Sequence, residues 1–428
     1  MTGPTASTRR AFLFAAGSAA LAGCSELAAR SDDPEGEIPP TRLPDVPDEG
    51  DSEPIVVDDV PVDIERERLA GAAARAEALL GTLPVPLGPA DVPNGHVREE
   101  LLAAAETATD RLDDARSATT RLSAMRSLRR ARAEARYAAE GWAFVADGRT
   151  EAELRGERRA TTREAERFRS DHAYVGDDPV RAAVVHATVE GTVRRVVGAR
   201  GPSMGAASGA LLDVAEWGEH AESGRVSLDD SRYLYDRFAA SLPDDATSVA
   251  PTLEVAAESL TEDLRDRQES LPPEPTASNG DPVDRLRRRL RRDAESHARN
   301  APDGRPASTV VDATAALTAF LAHDRLLARI DEGERLRAES GSDVSERRSA
   351  ALESIRTALE NSSSPELARK PLASAARLVT YGDDELARYR RSVRSARLDS
   401  PIRRYVTATL RARSVPAACE RVLEALEG

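Results

Sequence analysis

Four side chains near the middle of the chain have the types and spacing that a metal ion requires. His186 and Glu190 lie four residues apart, and Glu216 and His220 repeat that spacing in reverse order. A hairpin of two helices turning near residue 202 brings the pairs to similar height, where imidazole nitrogen and carboxylate oxygen suit a transition metal. The helical wheel opposes this. At about 100° per residue, Leu211, Val214, Gly218 and Ala221 share a face from which Glu216 and His220 turn away, so His220 is expected to point to solvent. His186 sits at the flank of the Val185, Val189, Val193 and Val196 stripe, and Arg194 follows Glu190 at ion-pair spacing. A further candidate, His96, stands in Asn94-Gly95-His96-Val97-Arg98-Glu99, which also reads as a helix start with acids in its first turn.

Other chemistries lack their residues. None of the six histidines has Glu three places before it, which removes the Glu-x-x-His pairs of di-iron bundles. The sequence has no GxxxxGK phosphate loop, HExxH or CxxC. Two cysteines, Cys24 and Cys419, exclude a disulfide framework and a four-cysteine zinc site. Cys419 has no adjacent His or Lys and reads as a small apolar residue of a C-terminal helix. Trp142 and Trp217 read as anchors between helices rather than a ligand cage. No catalytic residue and no cofactor is predicted.

Composition narrows the class. With 60 basic against 74 acidic residues the net charge is −14, which excludes a basic nucleic-acid binder. Apolar residues make up 40% but aromatics only 4%, so the core must be built from Ala, Leu and Val, which favours closely packed helices. Lys370 is the only lysine, a bias that resembles proteins of extremely halophilic archaea. In molar salt the Debye length is about 3 Å, so charged patches act only at short range. That applies to the runs Arg285 to Arg292, Arg129-Arg130-Ala131-Arg132 and Arg388-Tyr389-Arg390-Arg391, which read as solvated faces paired with local acids.

The N-terminus carries the most specific pattern. Thr8-Arg9-Arg10-Ala11-Phe12-Leu13 precedes an apolar run too short to span a bilayer, and it resembles the twin-arginine export signal S/T-R-R-x-F-L at every position. The run ends in Leu21-Ala22-Gly23-Cys24, which resembles a lipobox. The resemblance, to haloarchaeal twin-arginine-exported lipoproteins, covers this segment and implies cleavage before Cys24, a covalent lipid on Cys24, and anchoring to the outer face of the cytoplasmic membrane. Export residues would then be Arg9, Arg10, Phe12 and Leu13. Asn94 to Glu99 is similar to the GxHxxE motif of imelysin-like exported helical proteins, with the glycine one place too close to the histidine.

Residues 24–63 read as an acidic, proline-rich, disordered tether, with thirteen acids against Arg30 and Arg42. Ile55-Val56-Val57 is its one apolar patch, either a docked short strand or exposed spacer, and its acids are candidates to fold back onto Arg287 to Arg292. From residue 64 onward helix follows helix. Starts are signalled at Thr150-x-x-Glu153, Asp178-Pro179, Asp281-Pro282, Ser364-Pro365 and Ser400-Pro401, and stops at Gly148, Gly201 and Gly224. These signals predict fourteen helices, including 204–223 and 228–242, 365–380 and 383–397, and 401–426. The expected class is all-α, a multi-helix bundle or irregular α-solenoid of antiparallel hairpins, preceded by the signal peptide (1–23) and tether (24–63). Domains are expected at 64–270 and 283–428, with a linker at 271–282 around Pro272, Pro273 and Pro275.

The function expected from these features is a membrane-anchored helical interaction or scaffold protein with an envelope protein partner. An imelysin-like metal- or ligand-binding lipoprotein is the alternative, and an envelope enzyme, which needs a deep pocket with convergent polar groups, is the third.

Overall fold

A computed structural model describes residues 37–48, 55–201, 209–274, 282–301, 304–333, 336, 338 and 340–428. Arg9, Arg10, Phe12, Leu13 and Cys24 lie outside these residues. Twelve α-helices carry the described chain, as an all-α reading requires. The first six are α1 (Arg66–Leu80), α2 (Gly95–Ser117), α3 (Arg121–Ala146), α4 (Glu151–Ser170), α5 (Pro179–Gly198) and α6 (Ala210–Ala240). The second six are α7 (Ala250–Glu269), α8 (Pro282–Asn300), α9 (Pro306–Asp331), α10 (Gly341–Asn361), α11 (Pro365–Ala387) and α12 (Ser395–Glu427). Among the described residues no helix is long and apolar enough to cross a membrane.

Local chemistry sets many of the starts. Thr150 and Glu153 form a reciprocal capping box at α4, Asp178 accepts from the Arg181 amide at 2.7 Å ahead of Pro179, and Ser364 accepts from the Leu367 amide at 3.3 Å ahead of Pro365. Gly148 follows α3 with φ +67°, a conformation that suits glycine. Other boundaries differ from expectation where packing outweighs the local signal. Gly224 lies inside α6, which runs on because Val226, Leu228, Leu234 and Phe238 are buried beyond it. Gly382 lies inside α11, where the Tyr405 ring fills the space its missing side chain leaves, and Asp383 beside it is held by Arg348 and Tyr405. The last helix begins at Ser395 rather than at Pro401, because Leu398 is fully buried and keeps the first turn in place. Pro401 cannot donate to the Arg397 carbonyl, and the Tyr389 hydroxyl donates to that oxygen instead, at 3.2 Å.

Packing follows composition. A smaller core joins α1, α2 and α3 through Ala76, Leu101, Ala108, Leu112, Leu128, Ala131 and Ala135. The larger core surrounds α9, which packs against α5, α7, α8, α11 and α12 and buries most of its residues from Ala307 to His323. The α7 helix packs on α9 and α12, ahead of the proline stretch at 271–275. Helices α3 and α6 approach closely because a side chain at Gly218 would strike Glu140 at 2.6 Å and the Arg136 carbonyl at 3.2 Å. Charge is buried along the same contact. Glu222 of α6 accepts from Arg132 at 2.8 and 2.6 Å, and Asp230 accepts from Arg129 and Arg68 at about 3 Å. Arg129 and Arg132 are therefore turned inward to distant carboxylates rather than solvated beside local ones, while Arg289 and Arg291 of α8 do pair locally, with Asp293 and Glu295.

The segment expected to be a disordered spacer is, in its described parts, a docked strap. Glu37–Ile38 (β1) pairs antiparallel with Val393–Arg394 (β4), and the Arg42 carbonyl passes so close to Gly341 that any side chain there would collide with it. Ile38, Val56, Val60 and Ile64 are buried in the large core. Burial of four aliphatic side chains, each worth about 1.5–3 kcal/mol, offsets the acidic composition that suggested disorder. Ile55 is exposed, Val56 is buried, and residues 55–57 form no strand. Among the described residues no strap acid pairs with Arg287 to Arg292: Asp58 meets Arg126, Asp59 meets Arg369 at 3.5 Å and Asp63 meets Arg121 at 2.5 Å.

Candidate functional site

The turn between α4 and α5 carries His172 and Tyr174 and is pinned by a two-residue strand, β2 (Val175–Gly176), against β3 (Thr247–Ser248). The Val249 amide extends the ribbon by donating to the Tyr174 carbonyl at 2.8 Å. Gly176 is required here, because a side chain would meet Ala182 at 2.7 Å. This ribbon holds His172 over α5 and against Phe168 and Tyr235, whose ring centres lie 5.8 and 4.9 Å away.

Hydrogen-bond direction along this site follows from one group that can only accept. The Val175 carbonyl lies 2.8 Å from His186 Nε2, so Nε2 carries the proton. Burial holds the His186 pKa below its ordinary value, so the ring is neutral and Nδ1 is an acceptor. His172 Nε2, 3.0 Å from that Nδ1, must then be the donor. Burial and the neighbouring His186 push the His172 pKa down to about 4, which leaves its Nδ1 as an unprotonated lone pair at neutral pH. That Nδ1 is buried and has no partner among the described residues.

A cavity of about 530 Å3 lies beside it. Phe168, Val189 and Val193 give it apolar walls, His172, Tyr174 and Glu190 its polar ones, and Arg169, Arg194 and Arg305 bring positive charge. Glu190 is a tie between elements. Its two oxygens accept from the Tyr174 hydroxyl at 2.5 Å and from the Ser308 amide at 2.6 Å. Ser308 is in the first turn of α9, where backbone amides lack helical partners and favour a carboxylate. Burial and Glu190 raise the Tyr174 pKa, so the hydroxyl stays protonated and donates.

The candidate metal ligands do not converge. His186 is fully buried rather than flanking, with both nitrogens engaged, and Glu190 is occupied by Tyr174 and Ser308. His220 is half-buried at a different cavity rather than turned to solvent, with its pKa lowered by burial and by Arg158. Glu216 has its pKa raised by burial and by Asp213. His96 faces solvent 3.8 Å from Glu100, on a helix capped by Asn94. Among the described residues no three His, Cys, Asp or Glu side chains gather as a metal would require. Cys419 is buried, and burial pushes its thiol up to about 11. Trp217 stacks under Arg155 at 4.9 Å and against Gly201, while Trp142 packs on the smaller core.

The i, i+4 spacing of His186 and Glu190 did place both toward one interior face. His172 and Tyr174 were missed because they sit in a turn with no periodicity. The available signal was two ring side chains close together in a chain where such residues are scarce.

Residues 67–245 match a family described as Domain of unknown function (DUF8262), and residues 250–424 match a family described as Domain of unknown function (DUF8264). No curated protein and no solved structure matches the chain. The cavity takes His172, Tyr174 and Glu190 from the first matched region and Arg305 from the second. The junction between the regions holds β3, so the site lies where the two meet.

Proposed function

We propose that this chain is an exported, lipid-anchored helical binding module whose ligand occupies the His172 cavity. The observation that carries the ligand reading is a 530 Å3 cavity between two regions of the chain, lined by His172, whose Nδ1 is buried and unpartnered among the described residues. Binding sites favour such junctions, and a buried lone pair without a partner is costly unless a ligand meets it. The ligand chemistry follows from the walls: an apolar or aromatic body for Phe168 and Val193, a donor group for His172, and an anionic end for Arg169, Arg194 and Arg305. Binding is favoured over turnover, because a histidine with a pKa of about 4 is a weak general base at neutral pH. It is favoured over a protein scaffold because the large exposed apolar side chains, Val85, Phe144, Val255 and Tyr381 among them, are scattered over separate elements. Native mass spectrometry of the chain isolated in molar salt tests this reading. A co-purifying small molecule, lost from His172→Ala but kept in Trp142→Phe, is expected; wild-type chain with no bound small molecule refutes it.

Export and anchoring are supported by Thr8 to Leu13 and Leu21 to Cys24. Cys24→Ser is expected to release the chain from membranes, and Arg9→Lys with Arg10→Lys to block export; fractionation by immunoblot checks both.

A further inference from the structure

A second cavity, of about 620 Å3, lies between α3, α4, the end of α5 and α6, and shares no lining residue with the first. Five arginines line it. Arg129 is met by Asp230, and Arg126 is met at the cavity's edge by Asp58 of the strap. The other three, Arg130, Arg158 and Arg195, have no carboxylate partner among the described residues. Arg158 donates to the Ala199 carbonyl and Arg195 to the Thr192 hydroxyl at 2.9 Å. Most arginines of this chain that reach a neighbouring helix do so to a carboxylate, as the Arg129, Arg132, Arg348 and Arg421 pairs show.

Among the described residues the carboxylates at the cavity, Glu134 and Glu219, form no ion pair with these three. Burial, then Glu134 and Glu216, push Glu219 up to about 7, and burial also raises Glu134, whose opposing influence is Arg111 outside the cavity. Burial, then Arg129, Arg195 and Arg130, pull Arg126 down to about 10. Burial followed by neighbouring arginines lowers Arg195 as well. Like charges gathered around one cavity mark a place where a counter-ion is energetically favoured. The rigid guanidinium fork suits the tetrahedral oxygens of phosphate, with bidentate contacts short enough to survive molar salt. The Ser223 hydroxyl at the same cavity adds a neutral donor, while the Thr162 hydroxyl is already given to the Arg158 carbonyl at 3.1 Å.

We propose that this cavity binds a phosphoryl group carrying two or more negative charges, held by Arg130, Arg158 and Arg195, with Asp58 of the strap competing for Arg126. The inference does not rest on the His172 reading. Isothermal titration of the chain carrying Cys24→Ser with inorganic pyrophosphate tests it, with flotation on phosphatidylglycerol vesicles as the arm that separates a lipid headgroup from a soluble phosphate. Pyrophosphate is expected to bind, Arg158→Gln and Arg195→Gln to weaken it about tenfold each, and Asp58→Asn to tighten it about twofold to tenfold. Arg169→Gln, at the other cavity, is expected to leave it unchanged. Arg130 is exposed, so Arg130→Gln leaves the fold in place and gives the deciding variant. Vesicle binding without pyrophosphate binding, lost in Arg130→Gln, assigns the phosphoryl group to a lipid. Binding of neither probe, or Arg130→Gln binding as tightly as wild type, overturns the proposal.

Discussion

His172 titrates in a window set by its surroundings, and those surroundings give its pH dependence a sign. Its folded pKa, about 4, lies below the ordinary value of 6.5, so between these limits the unfolded chain binds the extra proton. Stability from this group is therefore complete above pH 6.5 and lost as pH falls toward 4. Glu219 opposes it: a folded pKa of about 7 against an ordinary 4.5 means that stability falls as pH rises through that range. The two slopes overlap, and His186, His220 and Glu216 are shifted as well, so a whole-protein melting curve shows only the sum of these groups. His172→Gln keeps polarity but removes the titration, and wild type minus His172→Gln is expected to show stability rising from pH 4 to 6.5; equal slopes in both would remove His172 from the account. Glu190 gives a second residue-scale test. Glu190→Ala strands the Ser308 amide and the Tyr174 hydroxyl, each costing about 1–3 kcal/mol when buried without a partner. Denaturant unfolding is expected to show a loss of that order, and Glu190→Gln a smaller one.

Helix identity was readable from caps and glycines because Thr150, Asp178 and Ser364 act on their own first turns. Helix length was not. Gly224 and Gly382 look like stops by propensity, at about 1 kcal/mol each, yet both lie inside helices whose flanking residues are buried by other elements. The same distinction explains the site. His186 and Glu190 were found because their spacing is helical, whereas the partners that define their roles, His172, Val175 and Ser308, come from a turn and a distant helix start. The α3–α6 contact shows what such long-range packing demands. Gly218→Ala places a methyl group within 2.6–2.8 Å of the Glu140 side chain and 3.2 Å of backbone, and is expected to cost about 1–3 kcal/mol in denaturant unfolding. Glu222→Ala leaves Arg132 in a half-buried position without its carboxylate, and about 3–5 kcal/mol is expected there.

Across the whole molecule the strap is the feature that composition concealed. Thirteen acids and seven prolines describe a spacer, but Ile38, Val56, Val60 and Ile64 are buried and dock its described parts on the core. Val60→Asp is expected to expose the strap to limited proteolysis while leaving α1 to α12 resistant; unchanged cleavage would show that docking does not depend on the core contact. With the lipid proposed at Cys24, the strap also sets the length of the leash. A tether running free to residue 63 would reach roughly 120 Å at about 3.1 Å per residue. One fixed at Glu37 by β1 has only roughly 45 Å of chain at about 3.5 Å per residue. Because the bilayer is a plane, the layer open to the helices scales with that length itself, so the bilayer surface is presented to them at roughly threefold higher effective concentration. Any pull on the anchor is borne first by the β1–β4 pair and by the Arg42 backbone seated on Gly341.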